Sequence, residues 1–444
     1  MPHLPRKKSI DFDDLTSSDA LSINDERTSI LTEEPSVIEL YPPDHPRAWL
    51  NLAVSFIAAF FADGYTYTWS LYQRAYLDNK QPPLIHGKLS NSSLAMIGSL
   101  CMALFLGFGL VVGTVVKYYG IRRPLILGTI LLPTSLVLAS FSTELWHLYL
   151  TQGFLTGVSI SLCLFPLVHL PSQWFRKRQA LASGLFYVGT CLGGVVQMQV
   201  TQALFPRIGE RWTLRITALA ILLAMTLVTL VARERIKHAC RRVIDWTLLK
   251  KYPRLALLTL MASINTISFM VPFFFLPSYA TFLGMSDDMG AWVGMTLTLS
   301  NGAGRVILGW VADRYGHVNT LLISCFIAGL TSLVLWPFAL TLGPLMAYAI
   351  IHGIALAGFV ILPPILAANL VPLPNGSSAI GLILGVQFLG QLVGPPIFGA
   401  LIDSTAPNTS YFPAEMFAGG VCMLGTLLLL PFRWQMTRRF WCRV

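Results

Sequence analysis

Thr298-Leu-Ser-Asn301-Gly-Ala-Gly304-Arg305-Val-Ile-Leu308-Gly309-Trp-Val-Ala312-Asp313-Arg314-Tyr-Gly316 is an apolar stretch with a guanidinium in its middle and an acid–base pair at its end. An arginine side chain stays charged in any protein environment. Placing one at mid-membrane costs at least about 2.5–3.5 kcal/mol on insertion scales, and such charges usually face a water-filled cavity. Arg305 is therefore the first candidate for contact with a solute, and an anion is the partner its chemistry favours.

The rest of the chain supplies the membrane. Of 444 residues, 54% are hydrophobic and 12% are charged, against roughly 25% charged in a typical soluble domain. Hydropathy and helix breakers place spans near 48–73, 92–116, 123–141, 145–170, 179–205, 213–233, 254–283, 290–312, 318–340, 343–370, 376–402 and 412–432. Each is long enough to cross about 30 Å of hydrocarbon as a helix. The expected class is an all-α polytopic membrane protein with twelve transmembrane helices.

The connections alternate in charge. With the N-terminus cytosolic, inside segments hold 24 of the 31 basic residues, among them Lys117, Arg122, Arg176, Lys250, Arg314 and Arg433. By the positive-inside rule both termini are expected in the cytosol. The formal charge of +10 is then explained by basic loops facing anionic lipid, and implies no nucleic-acid partner. The N-terminal tail to residue 44 is polar, holds ten of the 21 acids and reads as disordered. The seven cysteines are scattered; they form neither a disulfide framework nor a metal-binding spacing. No metal or cofactor is expected.

A shift of 196 residues lays Gly98 on Gly294, Gly113 on Gly309, Gly120 on Gly316, Gly157 on Gly353, Gly189 on Gly385 and Gly194 on Gly390. Such a parallel repeat implies two six-helix bundles related by an axis along the membrane normal, with a site between them at mid-depth. The expected divisions are a tail over 1–46, bundles over 47–233 and 254–432, a basic cytosolic loop over 234–253, and a tail over 433–444. For each single glycine a packing seam is the better reading, since close helix contacts need small residues.

The two repeat copies also carry a family resemblance. Gly309-Trp-Val-Ala-Asp313-Arg314-Tyr-Gly316 is similar to the signature that joins the second and third helices of each half in the major facilitator superfamily. The N-terminal copy, Gly113-Thr-Val-Val-Lys117-Tyr118-Tyr-Gly120, has lysine in place of the acid. The resemblance implies that Asp313 clamps a cytosolic gate by accepting hydrogen bonds from a helix N-terminus, which Lys117 cannot do. More narrowly, the chain resembles fungal members of the monocarboxylate porter family. The opening Pro43-Asp44-His-Pro-Arg47-Ala48-Trp49 is similar to that family's first-span entry without its glycines. Trp174-Phe175-Arg-Lys177-Arg178-Gln-Ala-Leu181-Ala182-Ser-Gly184 fits the aromatic–basic–Leu-Ala-x-Gly signature before the fifth span.

That resemblance implies a transporter working by alternating access on a small organic, monocarboxylate-like solute, with a proton as candidate co-substrate. Animal lactate carriers place an acid four residues before the eighth-span arginine; Asn301 stands there in this chain. Asp63 and His352 are then the candidates for coupling, His352 because imidazole changes charge near neutrality. For His352 the bland alternative is a satisfied core histidine.

Other classes fit less well. GxxxxGKS is absent from the chain, which disfavours direct drive by ATP, and so is HExxH, which disfavours a membrane metalloprotease. Two rivals stay open: carriage of an uncharged vitamin or secondary metabolite, and a non-transporting sensor on the same fold. The expected location is the cell membrane, with an internal membrane as the alternative. The orientation exposes the sequons at Asn91 and Asn408 to glycosylation and keeps that at Asn375 cytosolic.

Overall fold

The computed structural model describes residues 38–39, 42, 45–78, 89–168, 170–175, 179–234, 236–237, 246–371, 376–406 and 409–436. Asn375, Asn408 and the side chain of Lys117 lie outside the described residues. One pair of strands occurs among those described: β1 (Ile38–Glu39) runs antiparallel to β2 (Ile236–Lys237), so the end of the expected unstructured tail pairs with the central loop. That loop also holds a short helix over Thr247–Lys251.

The other elements among the described residues are helices. We label α1 (Arg47–Asp78), α3 (Arg122–Ala139), α4 (Leu145–Val168), α7 (Pro253–Phe282), α9 (His317–Leu335) and α10 (Leu342–Asn369). The remaining long helices are α2 (Asn91–Tyr119), α8 (Asp287–Tyr315), α11 (Gly376–Asp403) and α12 (Phe412–Met436). The run Gln179–Val231 is broken at Gly209, where φ is 75°; its two parts are α5 (179–208) and α6 (210–231).

Ten of these runs are long and apolar enough to cross a membrane. Counting the break at Gly209, and counting α8, whose charges and Asn301 dilute its apolar character, is consistent with twelve crossings. The structure extends α8 three residues beyond the expected span at each end. Its first-turn acids Asp287 and Asp288 complement the positive helix N-terminus.

The repeat is visible in the elements themselves. α2 and α8 each have 29 residues and sit 196 residues apart. Both begin behind a serine whose hydroxyl accepts from a first-turn amide, Ser90 from Ser93 and Ser286 from Met289. Both end at a glycine of positive φ, 75° at Gly120 and 98° at Gly316. Such a conformation is strained for residues with a Cβ, so these two repeat glycines terminate their helices.

α2 packs along α11, α5 along α8, and α1 against α5, while α8 also lies against α10. Glycine sets the close approaches. A Cβ on Gly193 would fall 2.6 Å from the Cα of Phe60 in α1 and closer still to its carbonyl oxygen. One end of the bundle is tied by polar bonds: Arg74 of α1 pairs with Asp287, Gln202 of α5 donates to Asp288 at 3.0 Å, and Asp403 of α11 accepts from the backbone amides of Asn91 and Ser92. Large apolar side chains such as Leu223, Leu230, Phe338 and Leu427 point outward, the arrangement a hydrocarbon solvent allows because the helices satisfy their own backbone.

Candidate functional site

The middle of α1 is not regular α-helix. A π-turn over Ala59–Asp63 passes into a 3-10 turn over Gly64–Thr68. Departures of this kind release backbone carbonyls from the i→i−4 ladder and are frequent at functional sites. Here the Phe60 carbonyl accepts from Gln197 Nε2 of α5 at 2.6 Å. The irregular turn sets Asp63 and Tyr67 on the stretch of α1 that approaches α5 and α8.

Arg305 is buried where α1, α5 and α8 meet. Its Nη1 donates to the Tyr187 carbonyl and to Thr190 Oγ1, both at 2.9 Å. Nε donates to Asn301 Oδ1 at 3.2 Å, and Nη2 reaches Tyr67 Oη at 3.4 Å. The guanidinium also lies 5.8 Å from the centre of the Tyr187 ring. Asn301 in turn donates through Nδ2 to the Gly353 carbonyl at 3.1 Å, so one carboxamide links the cation to α10. Every partner is a neutral oxygen. Asp63 lies within electrostatic reach of Arg305, yet its carboxylate forms no ion pair among the described residues.

The sequence candidates are thus divided. Arg305, Asn301 and, at longer range, Asp63 come together. His352 does not join them: its Nδ1 lies 2.9 Å from Thr331 Oγ1 of α9 and its ring stacks 4.8 Å from that of Tyr348. Although Gly353 follows it directly, His352 faces the seam between α9 and α10. Tyr67, Tyr187 and Thr190 were not picked out from the sequence. Hydroxyl and carbonyl oxygens leave no charge signature, and only helix packing brings them to the arginine. Glu415 was missed as well, a buried acid in the first turn of α12.

The gate motif is also placed. Asp313 is 74% exposed, with Oδ1 3.8 Å from Nε2 of His317, the first residue of α9. Arg314 lies 5.7 Å over the Trp310 ring, and Gly309 faces Ile361 of α10. In the first half Glu234, beyond α6, supplies an acid to the corresponding turn: its Oε1 accepts from the Ile121 amide, next to Gly120, at 2.7 Å. Asn91 has its carboxamide engaged, Nδ2 donating to Asp403 Oδ1 at 2.8 Å, which is poor presentation for a glycosylation acceptor.

A bundle of long apolar helices in two matched sets, with a buried cation where α1, α5 and α8 converge, defines a polytopic protein of the secondary-transporter class. The chain belongs to the Major Facilitator Superfamily, whose profile matches residues 50–351 and 283–439. It is 30% identical over 415 residues to MFS-type transporter 1 of Ophiocordyceps sp., covering 90% of this chain and 91% of that one. It is 28% identical over 392 residues to the aspyridones efflux protein apdF of Emericella nidulans, covering 88% and 78%. A third relative, the agnestins efflux protein AgnL12 of Paecilomyces divaricatus, is 29% identical over 394 residues, covering 87% and 88%. Among solved structures, the nucleoside transporter NupG shares the fold, with a TM-score of 0.68 at 13% identity over 88% of this chain and 99% of that one.

Proposed function

We propose that this protein exports a small organic solute bearing a carboxylate or another anionic group, by alternating access of bundles 47–233 and 254–432. The observation that carries the reading is the set of partners of Arg305: a buried cation whose hydrogen bonds all go to neutral oxygens. An anionic solute group at this junction gains Coulomb attraction in a low dielectric, where opposite charges 4 Å apart interact by roughly 4 kcal/mol at an effective dielectric of 20. Outward transport follows the names of relatives, which are efflux proteins for aspyridones and agnestins. The monocarboxylate-porter resemblance supports the same solute class, and Asp63 is the residue proposed to carry a coupled proton. Orientation with both termini in the cytosol of the cell membrane rests on the distribution of basic residues.

Asp63 also favours a second reading. If it balances Arg305 through space, the site is neutral overall and the solute is an uncharged metabolite. Substitution at 305 separates the two. Arg305→Lys keeps a cation but loses the planar fork, and Arg305→Gln loses both. For an anion, transport by correctly delivered protein falls from wild type to Lys to Gln, by at least about tenfold at the last step, since one charge-assisted bond is worth roughly 1.5–3 kcal/mol. Wild-type transport by Arg305→Gln would sink the anionic reading, and a solute that competes equally well when esterified would favour the neutral one.

A further inference from the structure

A cavity of about 1040 Å³ lies away from Arg305, on the flank of the bundle, between the second half of α8, α9, α10 and the end of α12. Leu308, Val311, Ile323, Ile354 and Leu430 form its apolar walls. Exposed Arg314, the largely buried Arg433 and Asn319 line one end of it, with the exposed rings of Tyr315 and Trp434 beside them. Arg314 and Arg433 lie in the last turns of α8 and α12, and Asn319 lies in the first turn of α9. All three therefore mark one end of the bundle. Between Asn319 and Ile327, both lining residues, α9 rises roughly 12 Å into the apolar zone at 1.5 Å per residue. No Asp or Glu is among the lining residues.

We propose that this groove binds one molecule of an anionic glycerophospholipid from the surrounding leaflet. The phosphate and any acidic headgroup sit at Arg314 and Arg433, and an acyl chain runs along the α8–α9–α10 wall. Charge complementarity selects the occupant: two guanidiniums in the lining, Arg314 exposed and Arg433 mostly buried, favour an anion, and bidentate pairing with phosphate is the geometry arginine supports best. Tyr315 and Trp434 provide the amphipathic rings characteristic of headgroup depth. The walls beneath admit only hydrocarbon at low cost. The site is distinct from the Arg305 junction, although α8 and α10 serve both. At Gly304 a Cβ would lie 2.7 Å from the Cα of the wall residue Ile354, so the wall is part of a close helix seam.

The test uses the full chain, purified and delipidated in detergent, with phosphatidylserine and phosphatidylcholine competing in mixed micelles and bound lipid counted by native mass spectrometry. Each basic residue near an anionic headgroup is worth about fivefold, so the pair predicts roughly thirtyfold preference for phosphatidylserine at one site. Arg314→Gln with Arg433→Gln should bring the preference to near parity, while Lys250→Gln with Lys251→Gln should leave it intact. Should the double variant fail to fold, Arg314→Gln alone, at an exposed position, should lower the preference about fivefold. Leu430→Trp, which narrows the groove and spares both arginines, should weaken binding of both lipids. Equal binding of the two lipids by the wild type overturns the proposal, as does an unchanged preference in either arginine variant. Displacement of phosphatidylserine by an equal concentration of inorganic phosphate also overturns it, by showing a surface anion site with no role for the groove.

Discussion

Thr190→Val isolates one strand of the Arg305 network. Arg305 Nη1 carries two N–H groups, which go to the Tyr187 carbonyl and to Thr190 Oγ1, each at 2.9 Å. Valine replaces the hydroxyl by a methyl of nearly the same shape and leaves one N–H of a buried cation without an acceptor. Thr190 and Arg305 are 1% and 7% exposed, so water is a poor substitute, and the lost bond should cost roughly 1.5–3 kcal/mol. Thr190 also donates to the Tyr187 carbonyl at 2.8 Å, and that local bond disappears too. A double-mutant cycle removes this complication: Thr190→Val, Arg305→Met and the double variant are unfolded at equilibrium in mixed micelles, followed by tryptophan fluorescence. The coupling should fall in the same range of about 1.5–3 kcal/mol. Thr190→Ser, which keeps the oxygen and loses one methyl, should cost only about 0.8 kcal/mol. A coupling below about 0.5 kcal/mol, within the ordinary error of additivity, would refute the reasoning, because Arg305 would then not depend on this hydroxyl to hold α8 against α5.

Other consequences follow from the same packing. Gly193→Ala should sharply lower the yield of folded protein, since the new methyl meets the Phe60 backbone in α1; a backbone clash cannot relax by rotamer change, and normal gel-filtration behaviour would contradict it. Asp63→Asn should alter any proton dependence of transport measured across a pH series. His352→Gln should lower thermal stability through its Thr331 contact while leaving the shape of the pH profile unchanged. For glycosylation, a mobility shift on expression in a glycosylating host should vanish with Asn408→Gln and survive Asn91→Gln, because the Asn91 amide is held by Asp403; loss of the shift with Asn375→Gln would reverse the assumed orientation.

Much was legible in the residues alone. Hydropathy is a property of composition along the chain, so twelve expected spans coincide with the observed helices to within a few residues at most ends. The repeat was legible because glycine is chosen by backbone constraint: Gly120 and Gly316 are the two positions where a helix of 29 residues stops in positive φ. Arg305 was legible because an intramembrane charge is costly wherever the helix packs.

Only tertiary structure decided which neighbours that charge has. Neither Tyr187, whose hydrogen bond comes from a main-chain carbonyl, nor Thr190, whose hydroxyl also bonds its own helix, announces a role in one dimension. The irregular turn at Ala59–Asp63 meets Gly193 and Gln197 of α5, and no local signal in α1 records those partners. Asp63 and His352 looked equivalent as candidates because both are ionisable groups in apolar spans. Packing separates them, leaving Asp63 within electrostatic reach of Arg305 and His352 against Thr331. A sequence states which side chains are expensive to bury; the packing of one helix face against another determines what each of them meets.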